Sequence, residues 1–480
     1  MGNSFVEGNF APVRQERTVT DLAVTGHIPE FLDGRYLRNG PNPAVEVDPD
    51  AYHWFTGDGM VHGIRIRDGR AEWYRNRWVR TPAMAELLGE AYRGKRGSAP
   101  FPNFGANTNV IGHAGRTLAL VEGGAANYEL TSELDAVGAC DFDGTLPGGF
   151  TAHPNRDPAT GELHAVSYYF GWGNRVQYSV IDTAGRARRT IGIEVTGSPM
   201  MHNFSLTESH VVLYDLPVTF DARQAVKATV PAFLRFPARL VLSALVGRVR
   251  IPDPPVPARS RPGANGRLPY RWNRKYPARI GVMPRDGGTD DVRWFEIEPC
   301  YVFHPLNAYD ERDSGAIVLD VVRYSKVFDQ DLHGPSEGFP TLFRWTVDLR
   351  AGKIREEQLD DRKQEFPRID ERLAGRRHRY GYAPLFADVP EALAKHDLDR
   401  CTTEVHSFGG GREPGEFVFV PRHENAAEDD GVLMGFVYDP ATGRSDLVLL
   451  DAASLETVAS IHLPARVPSG LHGNWVPDGQ

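Results

Sequence analysis

The sequence is poor in cysteine and lysine and contains no long apolar run. Its three cysteines lie far apart and form no C-x-x-C pair, which argues against a disulfide framework and against a thiolate zinc site. Of the 54 basic residues only seven are lysines, so arginine carries almost all of the positive charge. No apolar stretch reaches the roughly 18 residues that a bilayer span needs, and the first residues lack the apolar core of a signal peptide. These absences predict a cytoplasmic protein.

The charge balance also argues against nucleic acid as a partner. The formal net charge is -9 over 480 residues, so no general attraction to nucleic acid is expected. The chain is 41% hydrophobic and 24% charged, which is ordinary for a globular protein. The length alone would allow two to four domains, but all-β propellers and barrels of this size form one unit.

Short β-type runs recur along the chain, and tight turns join them in pairs. Examples are "GIRIRDGRAEWY", "VIGHAGRTLALVE" and "LFRWTVDLRAGKIREE". Two such runs around a short Asp/Gly-containing turn are typical of a β-hairpin. Many hairpins over most of the chain indicate an all-β architecture that closes on itself, and a seven-bladed propeller with four strands per blade fits the length. No strict repeat signature is visible, which makes WD40 and kelch assignments weak.

One stretch departs from this pattern. The segment "ATVPAFLRFPARLVLSALVGRVRIPDPPVP" carries apolar residues at helical spacing among arginines, and prolines bracket it. A basic amphipathic helix of this kind suits the surface of a membrane or the rim of an apolar opening. The same pattern equally fits a cap helix packed on one face of a propeller, and the two interpretations are compatible.

Four of the sixteen histidines stand out because each follows a strand-like or apolar stretch and precedes a turn-forming residue. They are His153, His202, His304 and His472. Separations of 49, 102 and 168 residues exclude a local zinc finger or a helical H-E-x-x-H site, but fit ligands contributed by the inner strand ends of different blades. Neutral imidazoles suit Zn, Cu, Fe and Ni. A single histidine in an apolar strand is more often a core residue than a ligand, and the credible rivals for such a site are His53, His62 and His406.

His472 lies close to the last residue of the sequence, in "LHGNW". Chain ends fray unless something holds them. In a closed propeller the last strand often completes the first blade, so we expect this strand to hold the C-terminal segment in place.

A larger set of motifs is shared with a known family. The motifs are "FLDGRYLRNGPNP", "HWFTGDGMVHG", "NTNVIGHAGRTLALVEGG", "CDFDGTLPGGFTAHP", "SPMMHNFSLTESHVVLYDLPVTFD", "FHPLNAYDE", "QEFPRI", "AEDDG" and "LHGNW". In this order, from about residue 10 to residue 478, they resemble the carotenoid cleavage oxygenases, and most closely a bacterial carotenoid-cleaving branch. As a set these motifs are highly specific.

The resemblance implies a fold and a metal centre. The fold is a seven-bladed β-propeller with a helical and loop cap over one face. The metal is one Fe2+ per chain, held by His153, His202, His304 and His472. Three glutamates at the family's positions, Glu122, Glu365 and Glu416, would orient the ligands, because a ligating imidazole gives its other N–H to a carboxylate. Three glutamates serve four histidines, and His153 is expected to lack a carboxylate.

The resemblance also implies the chemistry. The methyl group of Thr108 would crowd one of the two remaining positions on the iron, and O2 would take the other. The reaction is the cleavage of a conjugated C=C bond of a carotenoid or apocarotenoid into two carbonyl products. An apolar substrate needs an apolar tunnel, and Phe55 and Phe303 are the predicted wall residues. Tyr169, Phe170 and Trp172 are further candidates.

Three other functions remain open. Stilbene cleavage is one, although the stilbene cleavers place a phenol-binding lysine where this sequence has Val121. Isomerohydrolase chemistry on a retinyl ester has no support beyond the shared fold. A non-catalytic propeller is disfavoured because all four histidines and all three glutamates are present.

The resemblance also sets the expected domain organisation and partners. We expect one carotenoid-oxygenase-type propeller domain over residues 1–480, with the cap and a membrane-facing segment around 225–260. The predicted partners are O2 and a polyene, with no nucleic acid. Peripheral membrane contact is expected through about 230–250, and the chain is expected to be a monomer.

Overall fold

The computed structural model describes residues 2–253, 268–387 and 390–478. Strands dominate, and they form the seven blades of a β-propeller, so the predicted fold is confirmed. The predicted membrane-facing segment extends from about 225 to 260, and its part beyond residue 253 lies outside the described residues.

The first blade contains both early and late parts of the chain. Its strands are β1 (Arg17–Thr20), β3 (Gly34–Pro41), β4 (Gly59–Arg67), β5 (Arg70–Trp78) and β32 (Gly473–Pro477), and they pair in the order β1-β5-β4-β3-β32. The last strand of the chain therefore completes the first blade, as the sequence predicts. A second early strand, β2 (Val24–Gly26), pairs with the final blade. Strands from the two ends of the chain thus join blades one and seven.

Blades two to four follow in chain order. Blade two is β6 (Asn109–His113), β7 (Arg116–Leu120), β8 (Asn127–Leu130) and β9 (Ala136–Cys140), and blade three is β10 (Asn155–Arg156), β11 (Leu163–Tyr168), β12 (Arg175–Ile181) and β13 (Ala187–Glu194). Blade four is β14 (Phe204–Leu206), β15 (His210–Asp215), β18 (Arg279–Pro284) and β19 (Arg293–Glu296). Between β15 and β18 the chain forms the two-stranded sheet of β16 (Val218–Phe220) and β17 (Tyr270–Trp272).

Blades five to seven complete the ring. Blade five is β20 (Tyr301–Glu311), β21 (Ala316–Tyr324), β22 (Thr341–Asp348) and β23 (Lys353–Asp360), and blade six is β24 (Tyr380–Phe386), β25 (Pro390–Asp397) and β26 (Thr402–Ser407). Blade seven is β27 (Glu413–Pro414), β28 (Val418–Pro421), β29 (Gly431–Asp439), β30 (Arg444–Asp451) and β31 (Thr457–His462), with β2 at its edge. Every pairing in these blades is antiparallel, so hairpins connect neighbouring strands.

Helices are few. The α-helices are α1 (Pro82–Leu87), α2 (Ala222–Thr229) and α3 (Arg235–Leu245). The 3-10 helices are Ser4–Val6, Gly8–Phe10, Trp54–Thr56, Phe170–Trp172, Ala232–Leu234, Thr289–Asp291 and Glu371–Leu373. The Asp221 side chain caps α2 by accepting hydrogen bonds from the amides of Arg223 and Gln224. Among the described residues, none of the helices combines the length and the apolar character that a membrane span requires.

The predicted amphipathic segment forms the 3-10 helix Ala232–Leu234 and α3, and α2 precedes it. Pro237 stands in the first turn of α3, where a missing N–H costs little. Large apolar side chains on the outer side are exposed, including Phe233 at 81% and Phe236 at 66%. Leu242, by contrast, lines the interior cavity. The segment thus combines a side chain at the cavity with exposed apolar side chains.

The apolar core lies between the faces of neighbouring blades. The largest cluster joins blades three, four and five, and includes Tyr178, Leu213 and Trp345. A second cluster joins blade seven to blade one, and a third joins blade one to blade two. Val476 of β32 belongs to the third cluster and lies directly against Gly112 of β6. The last strand therefore stabilises the contact between the first two blades.

Val476→Ala should lower the thermal midpoint of unfolding, because removing two buried methyl groups costs about 1–3 kcal/mol. Val405→Ala is the matched control, since Val405 lies on an outer strand with 47% of its surface exposed. Circular dichroism during heating measures both midpoints. Equal midpoints for the two variants would show that the last strand does not contribute to the contact between these blades.

Candidate metal centre

The four histidines singled out in the sequence meet at one point. His472 directly precedes β32, and His153 and His202 lie two residues before the first residues of β10 and β14. His304 lies within β20 beside a β-bulge. These are the inner strands of blades one, three, four and five. One potential ligand atom of each residue lies within 4.8 Å of the corresponding atoms of the other three, and all four residues are buried. The rivals His53, His62 and His406 are not part of this cluster.

Three of the four imidazoles are held by carboxylates. The Nδ1–H of His202 donates to Glu122 Oε1 at 2.8 Å, that of His304 to Glu365 Oε2 at 2.6 Å, and that of His472 to Glu416 Oε1 at 2.9 Å. Because each Nδ1 carries a proton, each Nε2 of the neutral ring presents a lone pair. Within the described residues, no carboxylate pairs with His153. The arrangement of three pairs and one unpaired ring matches the pattern that the resemblance implies.

The geometry of these nitrogen atoms fits a bound cation. The Nε2 atoms of His202 and His304 are 3.3 Å apart, yet neither has a proton to donate to the other. His153 Nε2 and His472 Nε2 are buried, and neither has a hydrogen-bond partner among the described residues. Two imidazole nitrogens bound to one metal ion at about 2.1 Å and at right angles would be about 3.0 Å apart. A metal ion at the centre of the cluster would therefore satisfy lone pairs that otherwise repel one another.

The surroundings shift the pKa values of two of the histidines and of one glutamate. Burial lowers the pKa of His472 to about 4, although Glu416 acts in the opposite direction. Burial and the three neighbouring histidines hold the pKa of His153 well below its ordinary value. Burial would raise the pKa of Glu416, but Arg368 and His472 outweigh it and lower this pKa to about 2. At neutral pH His153 and His472 are therefore neutral, and Glu416 beside them is ionised.

Arg368 is a part of the centre that the sequence analysis missed. Its guanidinium is buried and donates to Glu416 Oε1 at 3.4 Å, to Gly473 O at 3.3 Å and to Asn474 Oδ1 at 2.8 Å. It thus connects the carboxylate of blade seven to the closing strand β32. The available signal was its position, three residues after Glu365 in the motif "QEFPRI".

An aromatic residue next to Glu365 was also missed. The ring of Phe366 stacks on His304 at 5.4 Å and meets His472 edge-on at 5.5 Å. Its backbone has φ of +53°, a left-handed conformation that is costly for a bulky residue. Strain of this kind concentrates at functional sites, where surrounding contacts enforce it. The sequence contains no signal for this conformation.

A cavity of about 1320 Å³ opens onto the centre. His202, His304 and His472 line it, whereas His153 does not. The predicted wall residues Phe55 and Phe303 both line the cavity, and their rings meet edge-on at 5.9 Å. Phe303 also lies against the His202 ring at 5.1 Å. Of the further candidates, Phe170 lines the cavity, and Tyr169 and Trp172 do not.

Thr108 lines the cavity just before β6. Its backbone carbonyl accepts a hydrogen bond from the amide of His472 at 3.0 Å. Its hydroxyl donates to Asn107 Oδ1 at 3.0 Å. Because the hydroxyl donates to Asn107, the γ-methyl is the part of the Thr108 side chain that can contact a molecule in the cavity.

Known proteins share this fold and these motifs. Residues 10–477 match the family described as "Retinal pigment epithelial membrane protein". The carotenoid cleavage oxygenase of Mycobacterium tuberculosis is 58% identical over 99% of this chain and 98% of its own length. The chain belongs to the carotenoid cleavage oxygenase family. Family membership confirms the prediction of an enzyme, an oxidoreductase that incorporates O2.

Two solved structures extend the comparison within the family. The lignostilbene dioxygenase of Pseudomonas brassicacearum superimposes with a TM-score of 0.82 at 28% identity, covering 99% of this chain and 98% of that one. Cobalt-substituted apocarotenoid oxygenase of Synechocystis gives a TM-score of 0.79 at 27% identity, covering 97% of each chain. The family therefore contains structural relatives with different named substrates.

Glu416→Gln should weaken metal affinity about 10–100-fold, because an uncharged amide no longer fixes and polarises His472. Glu413→Gln is a matched control, since Glu413 lines the same cavity three residues earlier and contacts none of the four histidines. Competition with a chelator measures the affinity of each variant. Equal affinities in the two variants would contradict a role for Glu416 at the metal centre.

Proposed function

We propose that the protein is a non-haem Fe(II) dioxygenase that cleaves a conjugated C=C bond of a carotenoid or apocarotenoid with O2, giving two carbonyl products. The observation that carries the proposal is a cavity with many aromatic lining residues that opens onto the cluster of four buried histidines. A long polyene would fit a space of about 1320 Å³. The 58% identity with the mycobacterial carotenoid cleavage oxygenase supports this substrate class.

In this proposal His153, His202, His304 and His472 hold one Fe2+. The neutral imidazoles and the distances between their nitrogens suit a first-row transition metal. The cobalt-substituted relative from Synechocystis supports such a metal in this fold. Bound Fe(II) would supply the electrons that activate O2 toward the double bond.

The chain itself orients the reactants and excludes water. Glu122, Glu365 and Glu416 keep three imidazole rings in a fixed orientation, and a fixed ring needs no reorganisation during the reaction. The methyl group of Thr108 narrows the space beside the centre. The rings of Phe55 and Phe303 hold the polyene in place through apolar contact. No organic cosubstrate is needed, because O2 and the alkene together balance the electrons of the cleavage.

Stilbene cleavage is a second candidate, favoured by the TM-score of 0.82 to the lignostilbene dioxygenase. Binding a phenol or phenolate calls for a polar or cationic partner. Val121 stands where we expect the stilbene cleavers to have their phenol-binding lysine. It is apolar and lines the cavity. This substitution favours a polyene over a phenolic stilbene.

We also propose how the protein acts as a whole. The described residues form one domain, which functions as a monomer in the cytoplasm and contacts membranes peripherally. The contact surface is the exposed outer side of residues 233–245, which includes Phe236 and Val241 beside Arg235 and Arg239. Apolar side chains would enter the lipid while the arginines meet anionic headgroups. Leu242 of the same helix lines the cavity, so this surface adjoins a path for a lipid-soluble substrate.

Purified Fe(II)-loaded protein in air should convert β-carotene or an apocarotenal into polyene aldehydes. Chromatography with mass spectrometry identifies the products, and their lengths show which bond is cut. His304→Ala should show no turnover above background, because a ligand is lost. Hydroxybenzaldehydes from resveratrol, without any polyene product, would assign the protein to stilbene cleavage instead.

Phe236→Glu combined with Val241→Glu should reduce binding to vesicles with anionic lipids about 10-fold or more, since burying either charge in lipid is costly. Cosedimentation measures binding, and turnover of detergent-dispersed substrate should be retained. Val405→Glu places the same charge on an exposed valine of blade six as a control. If the double variant binds vesicles as tightly as the control, this surface does not contact membranes.

A further inference from the structure

The lining of the cavity is mixed in polarity. Blades two to four and the region of α3 contribute many apolar residues, with Phe101, Phe170, Phe220, Leu242 and Ile251 among them. The N-terminal segment and the connections of blades five to seven contribute polar residues beside apolar ones. These polar residues are Glu7, Asn9, Lys363, Glu413 and Tyr438. A hydrocarbon has no use for such groups.

Lys363 is a cationic group in this lining that has no partner among the described residues. The other cationic side chain among the described lining residues is Arg38, which donates to the carbonyl oxygen of Pro468. The Lys363 side chain is partly buried, and its ammonium makes no ion pair or hydrogen bond with a described residue. It therefore keeps its capacity to donate hydrogen bonds.

The backbone around Lys363 is firmly held. The amide of Phe386 donates to Lys363 O at 2.9 Å, and the amide of Gln364 donates to Pro340 O at 3.0 Å. The Gln364 side chain is buried on the far side, where its Oε1 accepts from His396 Nε2 at 2.8 Å. The segment is extended, and it forms a β-bridge from Gln364 to Leu385.

This extended geometry relates Lys363 to the metal centre. Side chains at i and i+2 of an extended segment share a face, and their Cα atoms are roughly 7 Å apart. Lys363 and Glu365 accordingly both line the cavity. Glu365 accepts the hydrogen bond of His304, so the lysine is attached to the same rigid segment that orients a metal ligand.

We propose that Lys363 binds the oxygen atom at the end of an oxygenated polyene, such as an aldehyde, carboxylate or hydroxyl group. This inference rests on the proposed function and narrows its substrate class. A hydrogen bond from an ammonium group is charge-assisted and thus stronger than one between neutral groups. Because the backbone of Lys363 is held relative to the histidines, the reach of its side chain limits the number of bonds between the oxygen and the double bond that is cut.

Lys363→Met tests this directly, because methionine keeps the length of the side chain and removes the charge. Binding of an apocarotenal and of β-carotene to Fe(II)-loaded protein is measured without O2, from the shift of the polyene absorbance. The substitution should weaken apocarotenal binding about 10-fold relative to β-carotene binding. Lys363→Arg should restore most of this preference. Lys353→Met, an exposed lysine on β23, is the matched control.

Turnover in air gives a second readout. In Lys363→Met the products of apocarotenal cleavage should spread over more than one bond, since the fixed end is lost. If the ratio of the two affinities is unchanged in Lys363→Met, the inference is overturned. Anaerobic binding is scored independently of catalysis, so a parent enzyme that binds both polyenes but cleaves neither would contradict the proposed function and not this inference.

Discussion

Four imidazole nitrogens pointing at one buried spot constrain the whole molecule. The Nε2 atoms of His202 and His304 lie only 3.3 Å apart. Such an arrangement persists only where the surrounding structure enforces it. The propeller does this because the inner strands of all its blades approach one axis, so residues at their ends meet however far apart they lie in sequence. Closure of the ring by β32 is part of the same constraint, since it brings in His472.

The same centre requires carboxylate charges to be buried. Ion pairs and hydrogen bonds from neighbouring residues compensate for the free-energy cost of burying them. Glu416 is completely enclosed, yet its pKa falls to about 2 because Arg368, His472 and the amide of Gly473 favour the charged form. Glu365 accepts hydrogen bonds from His304 and from the amide of Phe366. An unpaired buried carboxylate would instead become protonated and lose its hold on the imidazole. Stability of the fold and order in the metal centre therefore depend on the same contacts.

How much of this was predictable depends on whether local or distant residues decide each feature. Hairpin patterns are local, and they predicted the strands and the propeller. The spacing of histidines along the sequence could not separate the four clustered ones from His53 and His62. Those two are just as buried in the structure. The His53 ring accepts from the amide of Phe55, and the His62 ring bonds to the Tyr74 hydroxyl. The motifs shared with the family, in their order, made the distinction. The role of Arg368 and the left-handed conformation of Phe366 depend on contacts between blades. No comparable pattern in the sequence predicts them.

Substrate selection places two opposing demands on one cavity. A polyene must lose its water to enter, which requires an apolar wall. The oxygen at the end of an oxygenated polyene must keep a hydrogen bond, because an unpartnered buried polar group costs about 1–3 kcal/mol. A lining that combines aromatic residues with the unpartnered Lys363 meets both demands. With its oxygen bound at Lys363, an oxygenated polyene has one favourable direction in the cavity. A symmetric hydrocarbon gains nothing from Lys363, so in our proposal this residue selects for substrates that already carry oxygen.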